Sequence, residues 1–351
     1  MQPSQRARLW WCCCHGLVAV YVFFSAEGSL AMTALSHLVF FDVGSAAVCV
    51  AVEVLGNFEV WRRSSIRHPF GLQRAEVLAG FAMSVFLVFG GFDLLSHSLK
   101  HVLESVGEHS PHHEHTHHPR AISPGTVDMA SLAAVVSTLV SAYGLRNHGR
   151  IRRLMRVRVP SFFLWAGDAD ILANPFLFLT LTFSFLMLLL PLLSVAYFVW
   201  LDGVICAAIA VSMFVLGTRL AVAQGLMLLM SYSGKGSSGG STASSLGASS
   251  AADTKKSDTL AAVNTSVSAV VREIESEPSI ARVDEAQFWQ VHYGLAMANL
   301  KICLVRGLDD GTLSQLRSRV TRVVNNRLGE GYGRGANLRW EVTVQISTDG
   351  K

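Results

Sequence analysis

The chain has 351 residues, 51% of them hydrophobic and only 15% charged, with a formal net charge of +4. Soluble domains carry about 25% charged residues, so this composition excludes an ordinary soluble protein, and so small a positive surplus does not mark a nucleic-acid binder. The six cysteines (Cys12, Cys13, Cys14, Cys49, Cys206 and Cys303) form no CxxC pair, which signals neither a zinc ribbon nor a disulfide framework.

A bilayer core takes about 20 consecutive, mostly apolar residues per helix, and the first two thirds of the chain supply such runs repeatedly. The first is Leu9–Phe24. It has no clear small-residue cleavage site, so it reads as a membrane helix and not as a cleaved leader. The Cys12–Cys14 run beside Arg6 and Arg8 reads as packing, with palmitoylation as the alternative. The second span is Ala31–Val54. The third is Val77–Leu95, continuing as a polar helix to Glu104. The fourth is Val127–Leu145, and the fifth Phe162–Leu190, ending at Pro191. The sixth is Leu192–Leu216, running on into Leu220–Met230.

Loop charge sets the orientation, because short Arg-rich loops stay cytosolic. Arg6 and Arg8 precede the first span. Arg62, Arg63, Arg67 and Arg74 follow the second, and Arg146, Arg150, Arg152, Arg153, Arg156 and Arg158 follow the fourth. With six crossings these segments share one side, so both termini are expected in the cytosol. The loop between spans three and four then faces a lumen or the outside.

Residues Gly234–Asp258 form a Ser/Gly/Ala-rich tract with nothing to bury, as in a flexible linker. Beyond it, Leu260–Ile274 has helical apolar spacing. Ala286–Gly294 and Met297–Val305 look like two strands, Thr312–Leu328 like a basic amphipathic helix, and Leu338–Ile346 alternates as a strand. This order suits an open α+β layer. The aromatic-rich strand around Phe288, Trp289, Val291 and Tyr293 reads as core, and His292 is not expected to bind metal. Arg317, Arg319, Arg322 and Arg327 read as a solvated helix face. The Asn264-Thr265-Ser266 sequon is expected to be unmodified in a cytosolic domain.

Several motifs together resemble the cation diffusion facilitator family, the ZnT proteins of animals. Gly28-Ser-Leu-Ala31 opens the second span like the family's GSLA motif. Phe70-Gly71-Leu72-Gln73-Arg74-Ala75-Glu76 matches its FGxxRxE signature, with Arg74 and Glu76 expected as an ion pair or a loop anchor. Asp202 sits at the start of the sixth span, and the αββαβ order matches the family's cytosolic domain. The fold implied is a membrane all-α six-helix bundle with a C-terminal α+β ferredoxin-like domain used for dimerisation. The segments are then 1–230 for the membrane domain, 231–258 for the linker and 259–351 for the cytosolic domain. Within residues 52–80, the run EVLGNFEVWRRSSIRHPFGLQRAEVLAG looks closer to one branch, the fungal subunits that pair with a catalytic transporter in the early secretory pathway.

Active family members hold zinc between the second and fifth helices, each contributing an HxxxD or DxxxD pair. Residues four apart share a helix face, and two such faces supply the four N/O ligands of a tetrahedral zinc site. Counting from GSLA, the resemblance places Asp42 and Asp170 on the family aspartates. Four residues earlier stand Leu38 and Ala166, neither of which ligates metal. His37 lies about 140° round the helix from Asp42, and Asp168 about 160° from Asp170, so neither sits naturally beside its partner. Two carboxylates are retained and both imidazoles lost. Asp42 and Asp170 therefore remain as a residual transport site, with a hydrogen-bonded helix contact as the alternative. Of the other acids in or near spans, Glu27, Glu53, Asp93, Asp128 and Asp202, most lie near span ends. Gln73 occupies a position where many animal members have His.

His109, His112, His113, His115, His117 and His118 cluster in the loop after the third span. Neutral imidazole is a good zinc ligand, so this loop reads as a weak metal cluster on the lumenal side, which His97 and His101 are placed to join. No nucleophile–base pair, phosphate loop or catalytic metal motif is present, so an enzyme is not expected.

The resemblance implies a subunit of a heteromeric zinc transporter that loads the endoplasmic reticulum or Golgi. Zinc is the transported ion, no organic cofactor is needed, and the partners are a catalytic cation diffusion facilitator paralogue and membrane lipid, not nucleic acid. Two alternatives stay open: an autonomous homodimeric zinc/proton antiporter, and a membrane zinc sensor or scaffold built around the histidine loop.

Overall fold

A computed structural model describes residues 2–26, 29–59, 69–70, 72–106, 124–145, 175–189, 195–232, 267–305, 309–328 and 338–348. The chain divides into two compact units, Met1–Arg67 with Ala79–Ala221, and His68–Leu78 with Val222–Lys351.

In the first unit, α1 (Pro3–Phe24) opens with Pro3, whose missing N–H is one that a helix start leaves unbonded in any case. It therefore starts before the apolar run at Leu9. Helix α2 (Leu30–Leu55) is set by Ser29, an N-cap whose hydroxyl accepts the Met32 N–H at 3.1 Å. Helices α3 (Leu72–Val106), α4 (Pro124–Leu145), α5 (Pro175–Leu189) and α6 (Val195–Leu228) follow.

Among the described residues, α1, α2, Leu72–Lys100 of α3 and Leu201–Leu228 of α6 are long and apolar enough to cross a membrane. Shorter apolar stretches occupy Met129–Ser141 of α4 and Phe176–Leu189 of α5. Helix α3 begins five residues before the apolar run because Gln73, Arg74, Ala75 and Glu76 are strong helix formers. The N-terminal part of the expected fifth span, from Phe162 to Asn174, lies outside the described residues.

Helix α1 packs on α2 and α4, α4 on α5, and α2 also on α5. The shared core is built from Ala19, Val22, Met32, Leu35, Leu38, Val39, Phe176 and Met187. Helices α3 and α6 meet through glycines. A Cβ on Gly91 would lie 2.8 Å from the Phe214 backbone nitrogen, and one on Gly217 would lie 2.9 Å from Val88 Cγ2. Association inside lipid relies on this close backbone approach, since burying apolar side chains there gains little over lipid contact.

Polar pairs bind α1 to α2 as an antiparallel hairpin. Asn57 Nδ2 donates to Gln5 Oε1 at 2.8 Å, and Arg8 Nη1 reaches both Glu53 oxygens at 2.6 and 2.8 Å. Glu53 is thus an ion-pair partner near the end of the hairpin. Further along, Cys12 packs on Ala46 and Val50.

In the second unit, residues 267–275 form helix α7. Strands β1 (Ile280–His292), β2 (Leu295–Leu304) and β3 (Arg339–Thr348) flank helix α8 (Asp310–Leu328) in the chain. The sheet order is β1-β2-β3, with β2 antiparallel to β1 and parallel to β3. Val270 and Ile274 of α7 and Leu316, Val320, Val324 and Leu328 of α8 cover one face, against Ala296, Ala298, Leu300, Ile302 and Trp340. Trp340 stacks edge-on against Tyr232 at 5.2 Å and Phe288 at 6.0 Å. The four α8 arginines are exposed.

Strand β1 starts at Ile280, six residues before the expected strand. Register shifts between Ile280 and Arg282 and between Val283 and Glu285 break the alternation that marks a strand in sequence.

Candidate functional site

Asp42 lies in the middle of α2 and is 6% exposed. A carboxylate at such depth requires partners, and two neighbouring helices supply them. His15 of α1, 3% exposed, places Nε2 2.9 Å from Asp42 Oδ2. Ser141 of α4 donates to the same oxygen at 3.3 Å. The other ring nitrogen of His15 hydrogen-bonds Ser137 Oγ, one helical turn before Ser141. The acid, the imidazole and the two hydroxyls therefore form one buried network across α1, α2 and α4. Both ring nitrogens of His15 are engaged, so neither presents a free lone pair to an ion.

Leu38, one turn before Asp42, is 1% exposed and packs in the apolar core. His37 faces elsewhere. Its Nδ1 donates to the Thr33 carbonyl at 2.8 Å, and its Cδ2 lies 3.7 Å from where Gly90 would carry a Cβ on α3.

Asp202 of α6 performs a different task. Its Oδ1 accepts from Ser29 Oγ at 2.5 Å and from the Ala31 N–H at 3.3 Å, while Oδ2 accepts the Leu30 N–H at 2.8 Å. The first N–H groups of a helix lack intrahelical acceptors and carry a partial positive charge. Asp202 satisfies two of them from another helix, and this gives the Ser-Leu-Ala of the second span its physical role.

Arg74 and Glu76, expected as an ion pair or a loop anchor, lie in the first turns of α3. Residues two apart point to different sides of a helix, and Arg74 Nη2 donates to the Leu228 carbonyl at 3.2 Å.

Among the described residues no three of His, Cys, Asp or Glu are grouped to hold a metal ion. Of the candidate ligands, Asp42 is described. Asp170, with Asp168 and Ala166, and the loop histidines His109, His112, His113, His115, His117 and His118 lie outside the described residues. The sequence reading missed His15. An imidazole inside an apolar run is itself a signal, but its partner is 27 residues away and no local spacing pairs them.

Apolar helices of membrane-spanning length, a buried acid–imidazole network between them and a terminal αββαβ layer define a polytopic membrane protein with ionisable groups inside its helical bundle. The Cation efflux transmembrane domain family matches residues 9–229, and the chain belongs to that family, whose members are transporters and not enzymes.

The chain is 26% identical over 337 residues to "Probable zinc transporter zrg17" of Schizosaccharomyces pombe, covering 94% of this chain and 72% of that protein. It is 39% identical over 85 residues to Protein ZRG17 of Saccharomyces cerevisiae, 23% of this chain and 14% of that one. It is 31% identical over 97 residues to Zinc transporter 6 of Homo sapiens, 28% and 20% of the respective chains.

Proposed function

We propose that this chain is a subunit of a zinc transporter that moves zinc from the cytosol into the early secretory pathway, working as a heteromer with a catalytically competent paralogue. The names borne by its relatives, a zinc transporter of fission yeast and Zinc transporter 6 of mammals, support zinc as the substrate. The observation that carries the subunit role is the pairing of Asp42 with His15 while Leu38 fills the core one turn away. A transporting helix needs a ligand pair with free lone pairs on one face. Here the carboxylate is hydrogen-bonded to an imidazole from α1, and apolar packing takes the place of the second ligand.

In this reading the membrane domain, residues 1–230, has six helices with both termini cytosolic. Residues 231–258 are a linker, and the ferredoxin-like domain of 259–351 pairs with the partner's. Asp42 and Asp170 are remnants of a transport site. The six loop histidines bind zinc weakly on the receiving side, in the endoplasmic reticulum or Golgi.

The test is zinc uptake into proteoliposomes holding this chain alone, the paralogue alone, or both. Uptake that requires both chains supports the subunit role. Sustained uptake by this chain alone refutes it.

A further inference from the structure

Two further ionisable side chains line a pocket on another side of α2, about 140° round the helix from Asp42. His37 of α2 and Asp93 of α3 both line a pocket of about 280 Å³, together with Phe40, Phe86, Phe89 and Met213. Both stand about two turns inside the matching ends of their helices, His37 from Leu30 and Asp93 from the Lys100 end of the apolar stretch. Phe86 and Phe89 are 72% and 67% exposed, so the pocket opens on the apolar outer surface of the bundle.

Two features of this pocket bear on what it could hold. First, the His37 Nδ1–H is held by the Thr33 carbonyl, which puts the ring's lone pair on Nε2. Among the described residues Nε2 has no hydrogen-bond partner. Histidines that bind metal are oriented in this way, with one nitrogen donating to a backbone carbonyl and the other presented to the ion. Second, Asp93 is exposed within an apolar span and makes no hydrogen bond or ion pair among the described residues. A carboxylate set among lipid-facing phenylalanines requires a neutralising partner. His97 stands one turn beyond Asp93 on the same face of α3.

We propose that the groove between α2 and α3 is a site for a divalent transition-metal cation, ligated by His37 Nε2 and the Asp93 carboxylate, with water completing the shell. Imidazole nitrogen and carboxylate oxygen are both zinc ligands, and two protein ligands leave the ion exchangeable. The proposal does not depend on the subunit role.

The test uses the full-length chain in detergent, with the six loop histidines replaced by alanine so that they do not mask the signal. Cobalt(II) binding is read from its visible absorption, and zinc from competition. The site predicts one bound cobalt displaced by zinc, affinity at least tenfold weaker in His37→Gln and in Asp93→Asn, and no change in Gly203→Ala, where an added Cβ meets nothing within 4 Å. No cobalt signal in the parent, or an unchanged signal in either groove variant, overturns it. A second reading does not depend on those variants folding like the parent. The His37→Cys, Asp93→Cys double variant is expected to bind cadmium with thiolate-to-metal absorption that neither single cysteine variant shows. Its absence in a folded double variant also counts against the site.

Discussion

His15 and Asp42 meet 2.9 Å apart across the α1–α2 interface, both nearly shielded from solvent. Their pairing turns the acid of α2 from an available ligand into half of an internal contact. Removing one member takes a buried hydrogen bond from the other, which costs about 1–3 kcal/mol. His15→Ala is therefore expected to lower the apparent Tm of the purified chain by several degrees. Asp42→Asn combined with His15→Gln, which replaces both groups by amides, is expected to recover most of the loss. Thermal unfolding in detergent checks this, and equal losses in the single and double variants count against the coupling.

Asp202 acts as a cap for a helix to which it does not belong. Asp202→Ala frees the Leu30 and Ala31 N–H groups that it now holds. An N-cap is worth about 0.5–2 kcal/mol. The expected result is faster hydrogen exchange confined to the first turn of α2, with Asp202→Asn milder than Asp202→Ala because the amide keeps one acceptor oxygen.

The α3–α6 contact depends on the absence of a Cβ at Gly91. A methyl there would meet the Phe214 N and the Ala210 carbonyl at 2.8 and 2.9 Å, and backbone atoms cannot swing aside as side-chain ends do. Gly91→Val is expected to cost about 1–3 kcal/mol through overpacking. Gly203 has nothing within 4 Å of its Cβ position, so Gly203→Ala is expected to be neutral or stabilising through helix propensity. Thermal stability of the two variants, measured side by side, separates packing from propensity.

His292, in the second unit, is buried, and its Nδ1 accepts the Gly294 N–H at 3.1 Å. Burial pushes its pKa below the ordinary histidine value. Below about pH 6.5 the unfolded chain takes up a proton that the folded ring resists. Stability contributed by this residue is thus complete above that pH and falls as pH drops. His292→Gln is expected to flatten the pH dependence of hydrogen exchange at the β1–β2 turn between pH 5 and 7.5. An unchanged profile contradicts the assignment.

Local signals made much of the architecture legible. The Gly28–Ala31 motif marked the opening of α2, and the 2-residue and 3.6-residue apolar periods separated the strands and helices of the second unit. Where charge interrupts apolarity the reading fell short. Helix α3 begins in the charged run Gln73–Glu76, and β1 begins among Arg282, Asp284 and Glu285 on bulged strand. In the candidate site, Asp42 was found because its helix carries a motif ahead of it. His15 was missed because its partner belongs to another helix, and tertiary distances leave no mark on spacing. The lone pair of His37 was equally invisible, since it depends on how the ring meets the Thr33 carbonyl.

The most direct test of the account is zinc flux through the reconstituted two-chain transporter with Asp42→Asn in this chain only. The account predicts flux within about twofold of the unaltered pair, because Asp42 is a partner of His15 and not a ligand of the moving ion. Loss of flux with the assembled complex intact would contradict it and make Asp42 part of a working transport site.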